Sequence, residues 1–502
     1  MTFDGPTFAA IVAGLIAGSA GLDALVRPRG AMRAMAGLWL LVCMAVALLG
    51  LFLALTGNGV MALALALAVQ ALFTVSSNAK HAMLGEPLLF SDLALVGAIF
   101  RHPQFYLSAV RLWQRAVAAL IAVALVGAIG WFSHADPRAH LIGAALMIGG
   151  IGTLVVSLTL RPWRVLAPVP DAANDTGKLG LFPTMLLYWL RWRREKAPAA
   201  CPPAVRATPD DAPELIVVIQ CESFADPVEL FGDPALALPG LAAARGQAMQ
   251  WGNLNVSGFG AYTMRTEYGV LFGRDEAALG FRRYDPFLTA TQDAGYAMPA
   301  RLREGGSDWR SLFVHPHDMR FYNRDTIMPA GGFAELVGEG HFAPPAPGEG
   351  RYVTDAAMAD TILDLAGGTA QPTLIYAVTI ENHGPWAPDS RGGGSPDLVD
   401  GYMRLVRHGD AMLTALADGL AALRRPALLI FFGDHRPSIP GASVPPDARA
   451  ATGRHTPYVM LRLDGAGKPV PGTNRHADLT PAQLHHAILD AALGAPVGES
   501  GV

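Results

Sequence analysis

Charge is what this 502-residue chain has least of. Asp, Glu, Lys and Arg make up 16% of it, against 51% apolar residues, and the mean hydropathy is +0.30. That composition is apolar for a soluble enzyme and suggests a membrane part joined to a soluble one. The net charge of −4 says little by itself, and nucleic acid is not among the expected partners. Cysteine is equally scarce. Cys43, Cys201 and Cys221 lie far apart with no CxxC spacing, which argues against a zinc knuckle and a dense disulfide framework. Cys43 sits in an apolar run and Cys221 closes an apolar strand, so both read as small buried hydrophobes. No A-x-A pattern with a basic leader precedes the first apolar run, and that run reads as a retained helix.

Residues 1–165 read as a transmembrane domain. No charged residue occurs between Arg33 and Lys80, and Thr56-Gly57-Asn58-Gly59 breaks that stretch into two helices joined by a tight turn. Further uncharged runs at 5–22, 116–132 and 141–160 bring the expectation to about five spans. Between the third and fourth, Asn78 to Leu93 is too charged for a simple turn, and the apolar piece 88–100 is too short to span. A re-entrant or interfacial segment and an ordinary connecting loop both fit. Residues 166–213 form a connector. Leu179 to Trp192 with the basic tail Arg191-Trp192-Arg193-Arg194 describes a helix in the headgroup region. Pro198, Pro202, Pro203, Pro209 and Pro213 make residues 197–213 a linker, since they cannot hold a regular helix.

From residue 214 to 502 short apolar strands alternate with helical stretches. The strands are expected at 215–219, 311–314, 374–378, 427–432 and 458–463, and helices at 356–365 and 402–423. This pattern predicts an α/β domain with a mostly parallel sheet covered on both faces.

Two of those strands end on chemistry. Leu428-Leu429-Ile430-Phe431-Phe432-Gly433 is succeeded at once by Asp434 and His435, and the first strand runs through Gln220 and Cys221 to Glu222. Carboxyl ends of parallel strands are where such sheets present ligands. The turn Ser257-Gly258-Phe259-Gly260-Ala261-Tyr262 delivers Thr263, whose hydroxyl is a poor nucleophile until a metal or base activates it. Glu222, Thr263, Asp434 and His435 would together give a divalent cation three oxygens and one nitrogen.

The ordered set strand-Glu-Ser-Phe, Thr-x-Arg-Thr-Glu, Phe-Tyr-Asn-Arg-Asp, Asn-His-x-Pro and Gly-Asp-His resembles the lipoteichoic acid synthase and phosphoglycerol transferase family of the alkaline phosphatase/sulfatase superfamily. The resemblance covers residues 214 to about 470. It extends to the membrane part through Asn78-x-Lys80 and Gly85-Glu86-Pro87-Leu88 with Ser91-Asp92. It implies that Glu222, Thr263, Asp434 and His435 bind one divalent ion, usually manganese, with magnesium or zinc as alternatives. It also implies that Thr263 is the nucleophile in preference to Thr266, because the family's nucleophile stands four residues before the motif glutamate, here Glu267. Arg324 corresponds to the arginine that grips the substrate phosphate and Tyr322 to a position often held by tryptophan. His315 and His383 match histidines of the same pocket, His383 as a candidate general acid or base. On its own, Arg324 beside tyrosine and asparagine reads as a surface ion pair and His383 as a hydrogen-bonded loop histidine.

The implied reaction is transfer of phosphoglycerol from phosphatidylglycerol in the bilayer to a glycan or glycerolphosphate acceptor, through a phosphothreonine intermediate, with release of diacylglycerol. Phosphoethanolamine transfer and simple ester hydrolysis at the same site are the rivals, although the threonine turn lacks the C/S-x-P-x-R context a sulfatase needs. A degenerate binding module is a third reading, opposed by retention of all four ligands. The resemblance places the protein in the bacterial cytoplasmic membrane with its catalytic domain outside. The loops bearing Arg27, Arg29, Arg33 and Lys80, Arg101, Arg111, Arg115 would by the positive-inside rule put that domain in the cytoplasm instead.

Overall fold

The computed structural model describes residues 5–30, 32–93, 137–196, 212–304, 308–345, 350–384, 398–439, 453–470 and 474–495, with scattered positions between them. The chain divides into two compact units, Met1–Glu195 and Lys196–Val502.

In the first unit, α1 (Gly5–Leu25), α2 (Met35–Thr56), α3 (Gly59–Leu84) and α4 (Pro137–Thr159) are the four helices, among the described residues, long and apolar enough to cross a membrane. The run expected at 116–132 lies mostly outside the described residues, as does the 88–100 piece beyond Leu93. The break between α2 and α3 falls where the turn residues put it. Gly57 takes a left-handed φ of 63° to end α2, and the Asn58 side chain accepts from the amides of Val60 and Met61 to cap α3. Helices α2 and α4 meet backbone to backbone: a Cβ on Gly50 would lie 2.3 Å from the Met147 nitrogen, and one on Gly143 2.2 Å from that of Ala54. Small residues at such a crossing are how apolar helices gain contact where no hydrophobic driving force acts between them.

The segment after α3 is pinned by charge. The Lys80 ammonium lies 2.7 Å from Asp92 and 3.5 Å from Glu86. The amphipathic helix expected at 179–192 is α6 (Leu181–Arg194), and a further short helix, α5 (Ala172–Leu179), precedes it across a break at Gly180 with φ 92°. A Cβ there would strike the Asp23 carboxylate at 2.3 Å, so the break is built around that group. Leu181 and Met185 of α6 are buried with Val26, and one face of this helix therefore meets protein. Arg33 ties the same corner together, donating to Asp23 at 2.7 Å and to the carbonyls of Thr176 and Gly177 at 2.7 and 2.6 Å.

The second unit is built on an eight-stranded sheet: β1 (Leu215–Cys221), β2 (Gln250–Asn255), β3 (Arg310–Val314), β4 (Glu335–Val337), β5 (Thr373–Val378), β6 (Ala427–Gly433), β7 (His455–Leu463) and β8 (Arg475–His476), in the order β4-β3-β5-β1-β6-β7-β2-β8. The run from β4 to β6 is parallel. Strand β7 opposes both β6 and β2, so the sheet is mixed at that edge. Leu215, Val217 and Ile219 point into one core with α7 (Pro239–Gln247), α10 (Asp355–Gly367) and α11 (Leu398–Ala422). Ile216 and Val218 point into the other, with α8 (Thr263–Phe272), α9 (Arg324–Ala330) and α12 (Pro481–Leu493). The period of two along β1 is what feeds both layers.

Gly433 ends β6 where the chain must pass close to the backbone after β1. A Cβ there would lie 1.8 Å from the Phe224 carbonyl oxygen. Gly433→Ala should therefore destabilise the second unit by about 1–3 kcal/mol, read as a lower unfolding midpoint of the detergent-solubilised protein; an unchanged midpoint would show that the backbone relaxes freely at this point.

Candidate functional site

Strands β1 and β6 are parallel neighbours with Cys221 paired to Gly433. The next residues, Glu222 and Asp434, are thus delivered side by side at the carboxyl edge of the sheet. His435 comes with them. Glu222, Asp434 and His435 are buried, each offering one ligand atom within 4.8 Å of the others, and they are the single such group of three among the described residues.

The hydrogen bonds orient each group toward a common point. Asp434 Oδ1 accepts from the amides of Ser223 and His435, both at 2.8 Å. Asp434 Oδ2 is buried without a hydrogen-bond partner, and His435 Nε2 stands 3.5 Å from it and 3.4 Å from Glu222 Oε1. The Ser223 hydroxyl donates to Glu222 Oε1 at 2.9 Å. The His435 Nδ1 lies 3.2 Å from the Arg436 carbonyl, and donating a proton there leaves the Nε2 lone pair facing the carboxylates. Burial and the neighbouring Glu222 push Asp434 up to about 6, against the pull of His435, the Thr263 hydroxyl and the Ser223 amide. Burial opposes charge on His435, but Asp434 and Glu222 outweigh it and hold its pKa above the ordinary value. An orphaned carboxylate oxygen, a second carboxylate and an imidazole lone pair facing one point fit a divalent cation.

Thr263 opens α8 after Tyr262, which takes a left-handed φ of 75°. It is 7% exposed, whereas Thr266 is fully buried and donates its hydroxyl to the Asp434 carbonyl at 2.9 Å. The two threonines suggested by sequence are therefore physically different: one hydroxyl is committed to the backbone that carries Asp434, the other stands beside its carboxylate.

Arg324 opens α9 and is buried, not the surface ion pair its local sequence suggests. Glu267 holds it in a bidentate pair, Nε to Oε1 at 3.0 Å and Nη2 to Oε2 at 2.6 Å. Its guanidinium also lies 5.3 Å from the Tyr322 ring centroid and 5.9 Å from that of Phe313. Tyr322 itself has a left-handed φ of 59°. Glu267, used in the sequence only as a motif marker, is the partner that sequence reasoning missed.

His315 comes directly after β3 and is buried, with Nδ1 2.9 Å from the Val378 carbonyl. Burial and the Arg324 charge hold its pKa well below the imidazole norm, so it is neutral and Nε2 is an acceptor. His383 is exposed, Nδ1 lying 2.8 Å from the Gly384 carbonyl, with its ring 5.9 Å from Tyr352. Two further groups carried no signal in the sequence. Glu381 accepts from the Asp355 amide at 2.7 Å and meets His408 Nδ1 at 2.8 Å. Arg436 is tied to Glu229 at 3.0 Å and to the His455 carbonyl at 2.7 Å, and His455 Nε2 lies 2.7 Å from the same Glu229.

Known proteins are similar to this chain in sequence and in fold. The family model described as Sulfatase matches residues 214–495. The capsular polysaccharide biosynthesis protein RkpI of Rhizobium meliloti (strain 1021) is 31% identical over 455 residues, covering 84% of this chain and 80% of that protein. Among solved structures, the integral membrane lipooligosaccharide phosphoethanolamine transferase A (EptA) of Neisseria meningitidis is similar in fold over 97% of this chain and 95% of its own, with TM-score 0.51 and 12% identity. The phosphoglycerol transferase GacH of Streptococcus pyogenes, in complex with sn-glycerol-1-phosphate, aligns over 58% of this chain and 78% of its own, with TM-score 0.46 and 16% identity.

Protons and a cation compete for Asp434, so Mn2+ retention in equilibrium dialysis should be full above pH ~7 and fall as pH drops through about 6; retention unchanged down to pH ~4 would remove Asp434 from the ligand set. Glu267→Ala leaves a buried guanidinium unpaired and should cost about 3–5 kcal/mol of stability, measured as a lower thermal midpoint.

Proposed function

Because the chain belongs to the sulfatase family and carries membrane-spanning helices ahead of that domain, we propose that it transfers phosphoglycerol from phosphatidylglycerol to a glycan or glycerolphosphate acceptor. The observation that carries the reading is the meeting of Glu222, Asp434 and His435 beside a threonine hydroxyl at the start of a helix. A divalent cation held by these residues, manganese by resemblance, would supply Lewis-acid stabilisation of phosphoryl oxygens and lower the pKa of a nearby hydroxyl.

The chain's own groups divide the work. Thr263 Oγ gives up its proton and attacks phosphorus, the bond from phosphorus to the diacylglycerol oxygen breaks as that oxygen takes a proton by way of His383, and phosphoglycerol remains on Thr263. The amides of the first turn of α8 favour the negative charge gathered there. Arg324, already fixed by Glu267, keeps its remaining guanidinium edge for a non-bridging phosphate oxygen, with Tyr322 packed over it. His315 is neutral and accepts a hydrogen bond from the glycerol part of the donor. His383, exposed at the mouth, takes the proton of the incoming acceptor hydroxyl as that oxygen displaces Thr263. RkpI is named for capsular polysaccharide biosynthesis, which supports a surface glycan as acceptor and a site outside the cytoplasmic membrane.

The test is incubation of the full chain with phosphatidylglycerol and Mn2+, with and without chelator. Diacylglycerol should appear only with metal. Thr263→Ala should lower its release by a factor of about 10³ or more with the thermal midpoint unchanged. Thr266→Val should cost about 1–3 kcal/mol of stability instead, because it leaves the buried Asp434 carbonyl without its donor. Release of diacylglycerol from phosphatidylethanolamine but not from phosphatidylglycerol would assign the donor to the rival reading.

A further inference from the structure

The helix that presents Thr263 has a second face. Thr266 and Glu267 point toward Asp434 and Arg324. Arg265 and Gly269, four residues apart and so on one side of α8, line a cavity of about 650 Å³. This volume is in the range of small-molecule sites, about 300–1000 Å³, and the cavity contains none of the residues assigned above to metal, phosphate or proton transfer.

Its walls carry four arginines, Arg265, Arg274, Arg283 and Arg454, against two carboxylates, Asp275 and Glu276. Arg274 is engaged by Asp293 at 3.0 Å and Arg283 by Glu276 at 3.6 Å. The Arg265 guanidinium lies 3.9 Å from the Tyr262 ring centroid and 5.3 Å from that of Tyr284, which fixes its plane. Arg454 completes the set. Its backbone carbonyl accepts from the Val256 amide, which anchors the residue at the wall, but its half-buried side chain has no ion pair among the described residues, and its Nε is buried without a hydrogen-bond partner. A cation kept partly desolvated without a counter-charge is costly to the fold, and an arriving anion offsets that cost.

The rest of the wall is not that of a phosphate site alone. Asn255, Ser257 and Thr480 offer neutral hydrogen-bonding groups, and Val256, Pro286 and Pro481 offer flat apolar surface. Hydroxyl edges, apolar ring faces and a carboxylate together are the chemistry of an acidic sugar. Ser257 begins the turn that ends at Thr263, so a chain seated in the cavity lies along the segment that carries the nucleophile.

We infer that this cavity binds a carboxylate-bearing saccharide, with Arg454 as the anchor of its anionic group. Calling that saccharide the acceptor rests on the transfer reading above; its binding does not. The two are separated by experiment. Titration calorimetry of the full chain in detergent with trigalacturonate should show salt-sensitive binding, and maltotriose should show none. Arg454→Glu should weaken trigalacturonate binding by about tenfold or more, and Ala277→Trp, which narrows the cavity from an exposed wall position without changing charge, should weaken it as well. Both variants should keep the parent's thermal midpoint and its metal-dependent diacylglycerol release into water. Equal binding of maltotriose, unchanged binding by Arg454→Glu, or competition by sn-glycerol-1-phosphate at equimolar concentration would overturn the inference. Arg454-dependent binding in a protein that releases no diacylglycerol would uphold the cavity and sink the transfer reading alone.

Discussion

Two carboxylates forced together at the edge of a sheet are the constraint on which the second unit depends. The register of β1 and β6 pairs Cys221 with Gly433, so Glu222 and Asp434 cannot avoid one another. Both are buried, where like charges interact far more strongly than in water. Backbone amides satisfy one Asp434 oxygen and His435 faces the other, yet burial and Glu222 still raise the pKa of Asp434. Such an arrangement suits a cation, and the surrounding structure keeps the two carboxylates together. Gly433 lets the chain pass Phe224, and Thr266 holds the Asp434 carbonyl.

A second buried charge pair ties α8 to α9. Arg324 and Glu267 meet with almost no exposure, 2% and 0% for their side chains. Such pairs add little net stability, because desolvation offsets their attraction. What this one supplies is position. It fixes a planar cation at the start of α9 relative to the helix that carries Thr263. Helix α8 thereby serves three neighbours at once: its first residue stands beside Asp434, its Glu267 aligns Arg324, and its opposite face lines the arginine-rich cavity.

Much of this was legible in the sequence, for definite reasons. Asp434 comes directly after a continuous apolar run and Glu222 three residues after another, and buried parallel strands signal their ends in that way. The charge-free stretch from Arg33 to Lys80 with its Gly-Asn break gave α2 and α3 directly. Other features depend on distant partners. Glu267 reaches Arg324 across 57 residues, and no local pattern near either predicts the pair. Motif spacing by resemblance favoured Thr263 over Thr266, but the physical difference between them, the hydrogen bond of Thr266 to a strand end, depends on a residue 168 positions away. The break at Gly180 was hidden because its cause, Asp23, lies in another helix. Strands β4 and β8 span three and two residues, too short for any periodicity to register.

On the proposed mechanism the Thr263 hydroxyl, beside the Glu222, Asp434 and His435 cluster, is the atom that receives the phosphoryl group. Peptide mass mapping of the full chain, quenched during turnover of phosphatidylglycerol with Mn2+, tests this most directly. The expected result is a phosphoglycerol adduct on Thr263 that is absent with chelator and absent in Asp434→Asn. An adduct on Thr266, or on a residue outside this cluster, would contradict it.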